Sequence, residues 1–178
     1  MIFLLRHGRI QGYEEKRFLG AIDTDLDDEG VRQALYWQAA FSDFPPDRVY
    51  SSLLQRCDKT ARRIAGTIPV IHSPALNEIH MGDWDGRTFS EIKALYPEEF
   101  IKRGETLPFY RPRGGESFQD LSDRVLPFFN DITASKKGRV LLVTHAGVIR
   151  VILCHMLNLP LRDLFQIKPA YGELFILG

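Results

Sequence analysis

The chain has 178 residues, of which 44% are hydrophobic and 26% are charged, as is typical of one soluble globular domain. Basic and acidic residues number 23 each, so the net charge of zero excludes a global electrostatic attraction to nucleic acid or to anionic membranes. Cys57 and Cys154 match no metal or redox spacing, and no apolar run is long enough for a signal peptide or a membrane span. We expect a cytoplasmic protein with one domain, residues 1–178.

The first predicted element is a strand at the amino terminus. Residues 1–5 form an unbroken apolar run, which is typical of a strand buried on both faces of a sheet. Arg6, His7 and Gly8 follow it directly. Since ligands of open α/β sheets bind beyond the carboxyl ends of the strands, this stretch is a candidate site. The loop that follows, residues 9–28, is long and rich in glycine and charge, which is common in functional loops.

The remaining elements alternate between helices and strands. Predicted helices cover residues 29–44, 53–66, 90–96, 97–103, 117–135 and 146–157, with a helical turn at 161–165. Predicted strands cover residues 47–52, 70–72, 139–144 and 173–177. We expect the helix at 29–44 to face the core through Val31, Leu35, Trp37 and Ala39. The alternation predicts an α/β fold, a three-layer α/β/α domain with a mainly parallel central sheet.

Chemically active side chains follow four of these strands. Arg6 and His7 end the first, Arg56 lies in the first turn of the helix after the second, and Glu78 comes shortly after the third. His145 ends the apolar strand 139–144 and opens a helix. Each residue has a structural alternative: a surface arginine, a solvated acid, or a hydrogen-bonded histidine. Those alternatives do not explain why the two most buried strands both end in histidine with a glycine close behind, so the pattern favours a functional site.

The residue types suit phosphoryl transfer. Arg6 and Arg56 offer forked donors for phosphate oxygens, and the amides at Ala146, where the last long helix begins, add further donors. One histidine can attack phosphorus while the other donates to a phosphoryl oxygen. Glu78 can protonate the leaving oxygen and later deprotonate water. We expect no metal and no cofactor, because the arginines and the second histidine supply the charge, and His72, His80 and His155 show no metal-ligand spacing.

Taken together, these motifs resemble the histidine phosphatase superfamily, which has the phosphoglycerate-mutase-like fold. The resemblance covers the whole chain and is carried by Leu5-Arg6-His7-Gly8, Ser51-Ser52-x-x-x-Arg56, Leu76-Asn77-Glu78 and Thr144-His145-Ala146-Gly147. It implies that His7 is the phosphorylated nucleophile, that Glu78 is the proton donor, and that Arg6, Arg56 and His145 complete the phosphate pocket. The segments 76–84 and 114–118 are similar to the small bacterial phosphatases, the α-ribazole phosphatase branch.

One segment departs from the family pattern. After Arg-His-Gly the family usually has Glu-Thr or Glu-Ser, and an asparagine three residues further on, where this chain has Arg9, Ile10 and Tyr13. The pattern returns at Gly20. The replacements are either neutral changes in the loop or changes that alter substrate choice. Predicted phosphate or substrate contacts are therefore Arg6, Arg56, His145, Ala146, Arg9, Tyr13 and Gly20.

The resemblance implies a metal-independent phosphomonoesterase that acts on a small phosphorylated metabolite, with α-ribazole 5'-phosphate as a candidate. Phosphoglycerate-type mutases share the site but are generally longer, so hydrolysis is favoured over transfer. A non-catalytic phospho-ligand binding protein of the same fold and a metal-dependent phosphoesterase are further alternatives. We expect a small-molecule phosphate ester as the partner, no nucleic acid or membrane partner, and a monomer or homodimer.

Overall fold

Two apolar strands lie side by side in the centre of the sheet in the computed structural model, which describes residues 1–135 and 138–178. They are β1 (Ile2–Arg6) and β4 (Val140–Thr144), and they pair in parallel. β2 (Arg48–Ser51) and β3 (Val70–His72) extend the parallel sheet beyond β4, and β5 (Leu174–Leu177) pairs antiparallel with β1 at the other edge. The order β3-β2-β4-β1-β5 confirms the expected mixed α/β architecture.

Helices cover both faces of this sheet, because successive residues of the central strands point to opposite sides. One face packs against α1 (Asp28–Ala40) and α2 (Gln55–Ala65), and the other packs against α5 (Phe118–Ala134) and α6 (Ala146–Met156). Between β3 and α5 lie α3 (Phe89–Leu95) and α4 (Pro97–Glu105). Short 3₁₀ turns occur at Pro74–Leu76, Gly82–Trp84 and Leu161–Gln166. Within the described residues, no helix is both long and apolar enough to cross a membrane.

The buried face of α1 differs from the prediction. Leu35 is 43% exposed and Ala39 is also exposed, whereas Ala34 is fully buried and Trp37 is half-buried. The helix ends at Ala40, four residues earlier than expected, and Phe41 turns inward onto Phe3 with 5.0 Å between the ring centroids. Two stripes of this helix carry apolar residues, and the stripe with the smaller side chains is buried because the helix packs closely against the loop that follows β1.

That close packing is visible at Gly30. A Cβ atom there would lie 2.0 Å from the carbonyl oxygen of Arg9, so only glycine lets the helix approach the loop. The side chain of Asp27 caps the helix by accepting a hydrogen bond from the Gly30 amide at 2.7 Å. The first turn of α1 is thereby fixed against the segment that follows His7.

Candidate active site

The two histidines predicted from the strand ends lie together. Arg6 pairs with Thr144 in the parallel register of β1 and β4, and the His7 amide continues the ladder by donating to the Thr144 carbonyl at 3.0 Å. His7 and His145 are therefore the next residues on two neighbouring strands, and their rings lie edge to face with centroids 5.1 Å apart. Both are buried, with exposed fractions of 4% and 0%.

Hydrogen bonding determines which nitrogen of His7 is available. Nδ1 lies 2.8 Å from the carbonyl oxygen of Gly8, which can only accept, so Nδ1 carries the proton and Nε2 carries the lone pair. The Gly8 amide donates to Thr60 Oγ1 at 3.2 Å. A Cβ at Gly8 would lie 2.4 Å from the Gly30 carbonyl oxygen, so this turn requires glycine. The backbone thus holds His7 in the tautomer that has its lone pair on Nε2.

Arg56 lies in the first turn of α2, as predicted, and is 2% exposed. Its guanidinium donates to the carbonyl oxygens of Ile22 and Gly20 at 2.6 and 3.0 Å, and its Nε donates to His145 Nδ1 at 3.3 Å. Since Nδ1 of His145 accepts, its Nε2 carries the proton, and Nε2 lies 2.8 Å from Ser52 Oγ. Arg56 therefore fixes both the loop ahead of it and the tautomer of the second histidine.

Burial and nearby positive charge both lower the pKa of the two histidines. The pKa of His7 is well below its usual value, mainly because burial disfavours the imidazolium and also because Arg56 and Arg6 are close. The pKa of His145 is lowered by the same causes, burial first and then Arg56, with His7 adding to the effect. Both rings are neutral at pH 7, which a nucleophilic His7 requires.

Arg6 contributes a buried donor that points into the site. Its Nη1 donates to the Pro169 carbonyl at 2.7 Å, and its Cζ stacks 3.7 Å from the centroid of the Tyr171 ring. Its Nε is the one buried side-chain nitrogen or oxygen, among the residues described, that has no hydrogen-bond partner. A buried unsatisfied donor costs free energy, so this geometry favours the binding of an anion.

Glu78 is held at the start of α6. Its Oε2 accepts from the Gly147 amide at 3.1 Å, and its Oε1 accepts from the Ile79 amide at 3.0 Å. Amides in the first turn of a helix stabilise a carboxylate through hydrogen bonding and the helix dipole. The residues predicted from the strand ends therefore lie at one edge of the sheet: Arg6, His7, Arg56, Glu78 and His145.

A cavity of about 200 Å³ opens beside these groups. Arg6, Glu78 and Gly20 are the predicted site residues that line it. The rest of the lining comes from residues outside the predicted phosphate contacts: Arg17, Phe18, Leu19, Ile79, Met81, Phe89, Arg103, Phe118, Gly147, Arg150, Phe165 and Tyr171. Among the described residues, no group of three or more His, Cys, Asp or Glu is arranged to hold a metal ion.

Three predicted contacts lie elsewhere around the site. Arg9 forms an ion pair with Asp27 at 2.6 Å, and its Cζ lies 4.1 Å from the centroid of the Tyr13 ring. Neither Arg9 nor Tyr13 lines the cavity, so in this structure the two replacements stabilise the loop against α1. Ala146, the third, is buried as the first residue of α6.

Sequence reasoning missed several residues that complete the site. Ser52 belongs to the quoted motif but was not assigned a role, although its Oγ contacts His145 and donates to Asn77 Oδ1 at 3.0 Å. Tyr171 follows no recognisable pattern, and its stacking on Arg6 joins positions 165 residues apart in sequence. The wide spacing of such partners is the reason that local patterns do not reveal them.

Comparison with known proteins assigns the family. The model of the histidine phosphatase superfamily (branch 1) matches residues 2–178. The chain is 32% identical over 169 residues to glucosyl-3-phosphoglycerate phosphatase of Mycolicibacterium vanbaalenii, covering 89% of this chain and 75% of that protein. It is 37% identical over 159 residues to metal-independent phosphoserine phosphatase of Arabidopsis thaliana, covering 85% and 66%. The solved structure of α-ribazole phosphatase from Shigella flexneri superposes with a TM-score of 0.89 at 27% identity, covering 97% and 87%.

Proposed function

The chain belongs to the histidine phosphatase superfamily and is a phosphatase, and from this premise we propose that it hydrolyses a small phosphate monoester through a phosphohistidine, without a metal ion. The observation that carries the proposal is the hydrogen bond between His7 Nδ1 and the Gly8 carbonyl. It leaves a lone pair on Nε2 of a neutral, buried histidine, and the preceding residue, Arg6, has a buried Nε without a hydrogen-bond partner among the described residues.

In the first step, His7 Nε2 attacks phosphorus and the bond between phosphorus and the ester oxygen breaks. Arg6 and Arg56 neutralise the charge on the non-bridging oxygens as they enter the transition state. Arg56 uses three of its five N–H groups on protein acceptors, which leaves donors for the phosphoryl group. Glu78, in its protonated form, gives a proton to the leaving oxygen, so the alcohol departs neutral.

In the second step, the Glu78 carboxylate takes a proton from water. The resulting hydroxide attacks phosphorus, the P–N bond breaks, and inorganic phosphate leaves with His7 neutral again. The same carboxyl group acts as acid and then as base, so the cycle balances without a co-reactant.

His145 supports this chemistry through its Nε2 proton. That N–H is directed at Ser52 Oγ, so donation to a phosphoryl oxygen requires it to leave or share the Ser52 contact. Because Arg56 holds Nδ1 as an acceptor, the proton stays on Nε2, which faces Ser52. We assign His145 as a neutral donor that stabilises charge developing on the phosphoryl group.

The physiological alcohol, the cytoplasmic location and the monomeric or homodimeric state remain predictions. α-Ribazole 5'-phosphate is one candidate substrate, on the likeness to the enzyme that carries that name. Phosphate esters of small sugars and hydroxy acids are the others, on the likeness to glucosyl-3-phosphoglycerate phosphatase.

The test is hydrolysis of p-nitrophenyl phosphate in the presence of a chelator, with the native chain and His7→Ala. We expect turnover by the native chain, loss of turnover in His7→Ala, and an acid-labile phosphoprotein after rapid quenching of the native enzyme. The matched control is His155→Ala, which removes an exposed histidine at the end of α6 and should retain native turnover. Full turnover by His7→Ala, or its abolition by the chelator in the native chain, would contradict the proposal.

Phosphoryl transfer to a second alcohol distinguishes a mutase from a hydrolase. A phosphoglycerate-type mutase primed with a bisphosphate would interconvert monophosphates faster than it releases phosphate. We expect release of inorganic phosphate to dominate. A chain that binds phosphate esters but neither hydrolyses nor transfers them would be a binding protein.

A further inference from the structure

Three arginines line the cavity in addition to Arg6: Arg17, Arg103 and Arg150. Arg103 comes from α4 and Arg150 from α6, and both lie next to Phe165. The Cζ atoms of Arg103 and Arg150 lie 5.6 and 4.9 Å from the centroid of that ring. The two guanidinium groups thus meet at one aromatic side chain, within the cavity that also contains Arg6 and Glu78.

These two guanidinium groups have few protein partners. Within the described residues, Arg103 makes cation–π contacts with Phe18 and Phe165 but no hydrogen bond or ion pair. Toward the part of the chain that the structure describes, Arg150 donates only from its Nε, to the Ile167 carbonyl at 3.0 Å, and it stacks on Phe165. Burial lowers the pKa of both arginines. Charge repulsion from Arg150 lowers the pKa of Arg103 further, and repulsion from Arg6 lowers that of Arg150, where Glu78 opposes the shift. Ring contacts stabilise part of each cation but leave most N–H donors without acceptors.

The charges around the cavity do not balance. Arg6, Arg103 and Arg150 line it together with one carboxylate, Glu78. Arg17 also lines the cavity, but it forms an ion pair with Glu15 and donates to the Gly86 carbonyl. A phosphoryl group held by Arg6 and Arg56 leaves Arg103 and Arg150 with Glu78 as the one carboxylate of the lining. Half-buried cations with few hydrogen-bond partners are costly, so the geometry predicts a further negative group supplied by a ligand.

Extending the proposed phosphatase function, on which this inference rests, we propose that the substrate carries a second anionic group, a carboxylate or a phosphate, that binds to Arg103 and Arg150. The alcohol part is small, because a cavity of about 200 Å³ lies below the roughly 300 Å³ lower end of drug-sized ligand pockets. The substrate class is therefore the phosphate monoester of a small hydroxy acid, or a compact bisphosphate.

The aromatic lining does not favour an aromatic leaving group instead. Phe165 is already in contact with Arg103, Arg150 and Phe118. Phe18 packs against Trp84 and Phe89, with ring centroids 5.2 and 4.3 Å away. The rings therefore serve as platforms that orient the guanidinium groups, and the free donors lie on the arginines. An α-ribazole ester, whose alcohol is neutral, would leave those donors unused.

The test compares two esters that differ in one charge, 3-phosphoglycerate and glycerol 1-phosphate. We expect kcat/KM of the native enzyme to be about 10–100-fold higher for the phosphoglycerate, since hydrogen bonds to charged groups are among the stronger ones. In Arg103→Met and Arg150→Met this preference should fall at least about tenfold, mainly through KM for the phosphoglycerate. Arg63→Met, which removes an exposed arginine of α2, is the matched control and should retain the native preference.

A third substrate, propane-1,3-diol bisphosphate, is compared with the monophosphate of the same diol. The ratio of their kcat/KM values measures the preference for a phosphate as the second anionic group, as the first pair of esters does for a carboxylate. Equal kcat/KM for esters with and without the second anionic group, with hydrolysis intact, would overturn the second-anion site and leave the phosphatase proposal standing. A higher kcat/KM for α-ribazole 5'-phosphate than for every substrate that carries a second anionic group would also overturn it. Failure to hydrolyse any of these esters, p-nitrophenyl phosphate included, would overturn both proposals.

Discussion

Arg124 of α5 and Glu116 form a two-pronged ion pair, with Nε to Oε1 at 3.0 Å and Nη2 to Oε2 at 2.9 Å. The remaining nitrogen of Arg124, Nη1, donates to the carbonyl oxygens of Pro74, Ala75 and Asn77, each within 3.1 Å. Glu116 in turn accepts from the amide of residue 80 at 3.0 Å. The pair therefore holds the backbone on both sides of Glu78, which makes Arg124 a positioning residue for the proposed proton donor.

Replacement of Arg124 by Met should slow hydrolysis by a factor that depends on the leaving group. An alkyl phosphate needs a proton from Glu78, whereas p-nitrophenolate leaves readily without one. We expect kcat to fall about 10–100-fold for an alkyl ester and much less for p-nitrophenyl phosphate, because small misplacements of a catalytic group are costly. Arg111→Met, which breaks the surface ion pair with Asp120, is the control. Equal losses for both esters would indicate a general structural defect.

Glu78→Gln removes the transferable proton while keeping the shape of the side chain. We expect turnover of alkyl phosphates to fall by about 10²–10⁴-fold, the usual contribution of general acid–base catalysis. Binding of inorganic phosphate, measured by calorimetry, should survive because the arginines are unchanged. Native turnover in this variant would remove Glu78 from the mechanism.

Gly147→Ala tests the contact between the Glu78 carboxylate and the first turn of α6. An added Cβ would lie 2.3 Å from Glu78 Oε1, the end of a flexible side chain, and 3.3 Å from Leu121 Cδ2. The side chain of Glu78 can move away, so we expect kcat to fall about 10–100-fold while the melting temperature changes little. Gly104→Ala in α4, where an added Cβ meets nothing within 4 Å, should keep native kcat. Native kcat in Gly147→Ala would show that Glu78 tolerates displacement.

Stability should fall on acidification. The pKa values of His7 and His145 lie below the 6.5 expected in the unfolded chain, so below that pH the unfolded state binds protons that the folded state excludes. The stabilisation is complete above pH 6.5 and decreases as the pH falls toward the folded pKa values. Each histidine contributes a slope of up to about 1.4 kcal/mol per pH unit in the free energy of unfolding. Urea unfolding of the native chain and of His7→Asn between pH 5 and 7.5 measures this dependence of the unfolding free energy on pH.

His7→Asn should have a shallower dependence of unfolding free energy on pH than the native chain, since one of the two groups is gone. Identical slopes, or a native protein that becomes more stable on acidification, would mean that His7 is not held neutral.

Much of the site could be predicted because it depends on local pattern and on one rule of topology. Apolar runs at residues 1–5 and 139–144 predict buried strands, and parallel strands end at the same edge of a sheet. The convergence of His7 and His145 therefore needed only that β1 and β4 be neighbours, which the register confirms. Arg56 was placed by the helix that follows β2, and the family resemblance assigned the chemical roles.

The tertiary structure decided what depends on packing between distant segments. In α1, both candidate faces have helical spacing, and contact with the loop after His7 selected the face with Gly30 and Ala34. The tautomer of His145 follows from Arg56, 89 positions away, and the pairing of Arg103 with Arg150 follows from the meeting of α4 and α6 at Phe165. Sequence patterns report the periodicity of one segment, whereas hydrogen-bond partners and counter-charges depend on which segments meet.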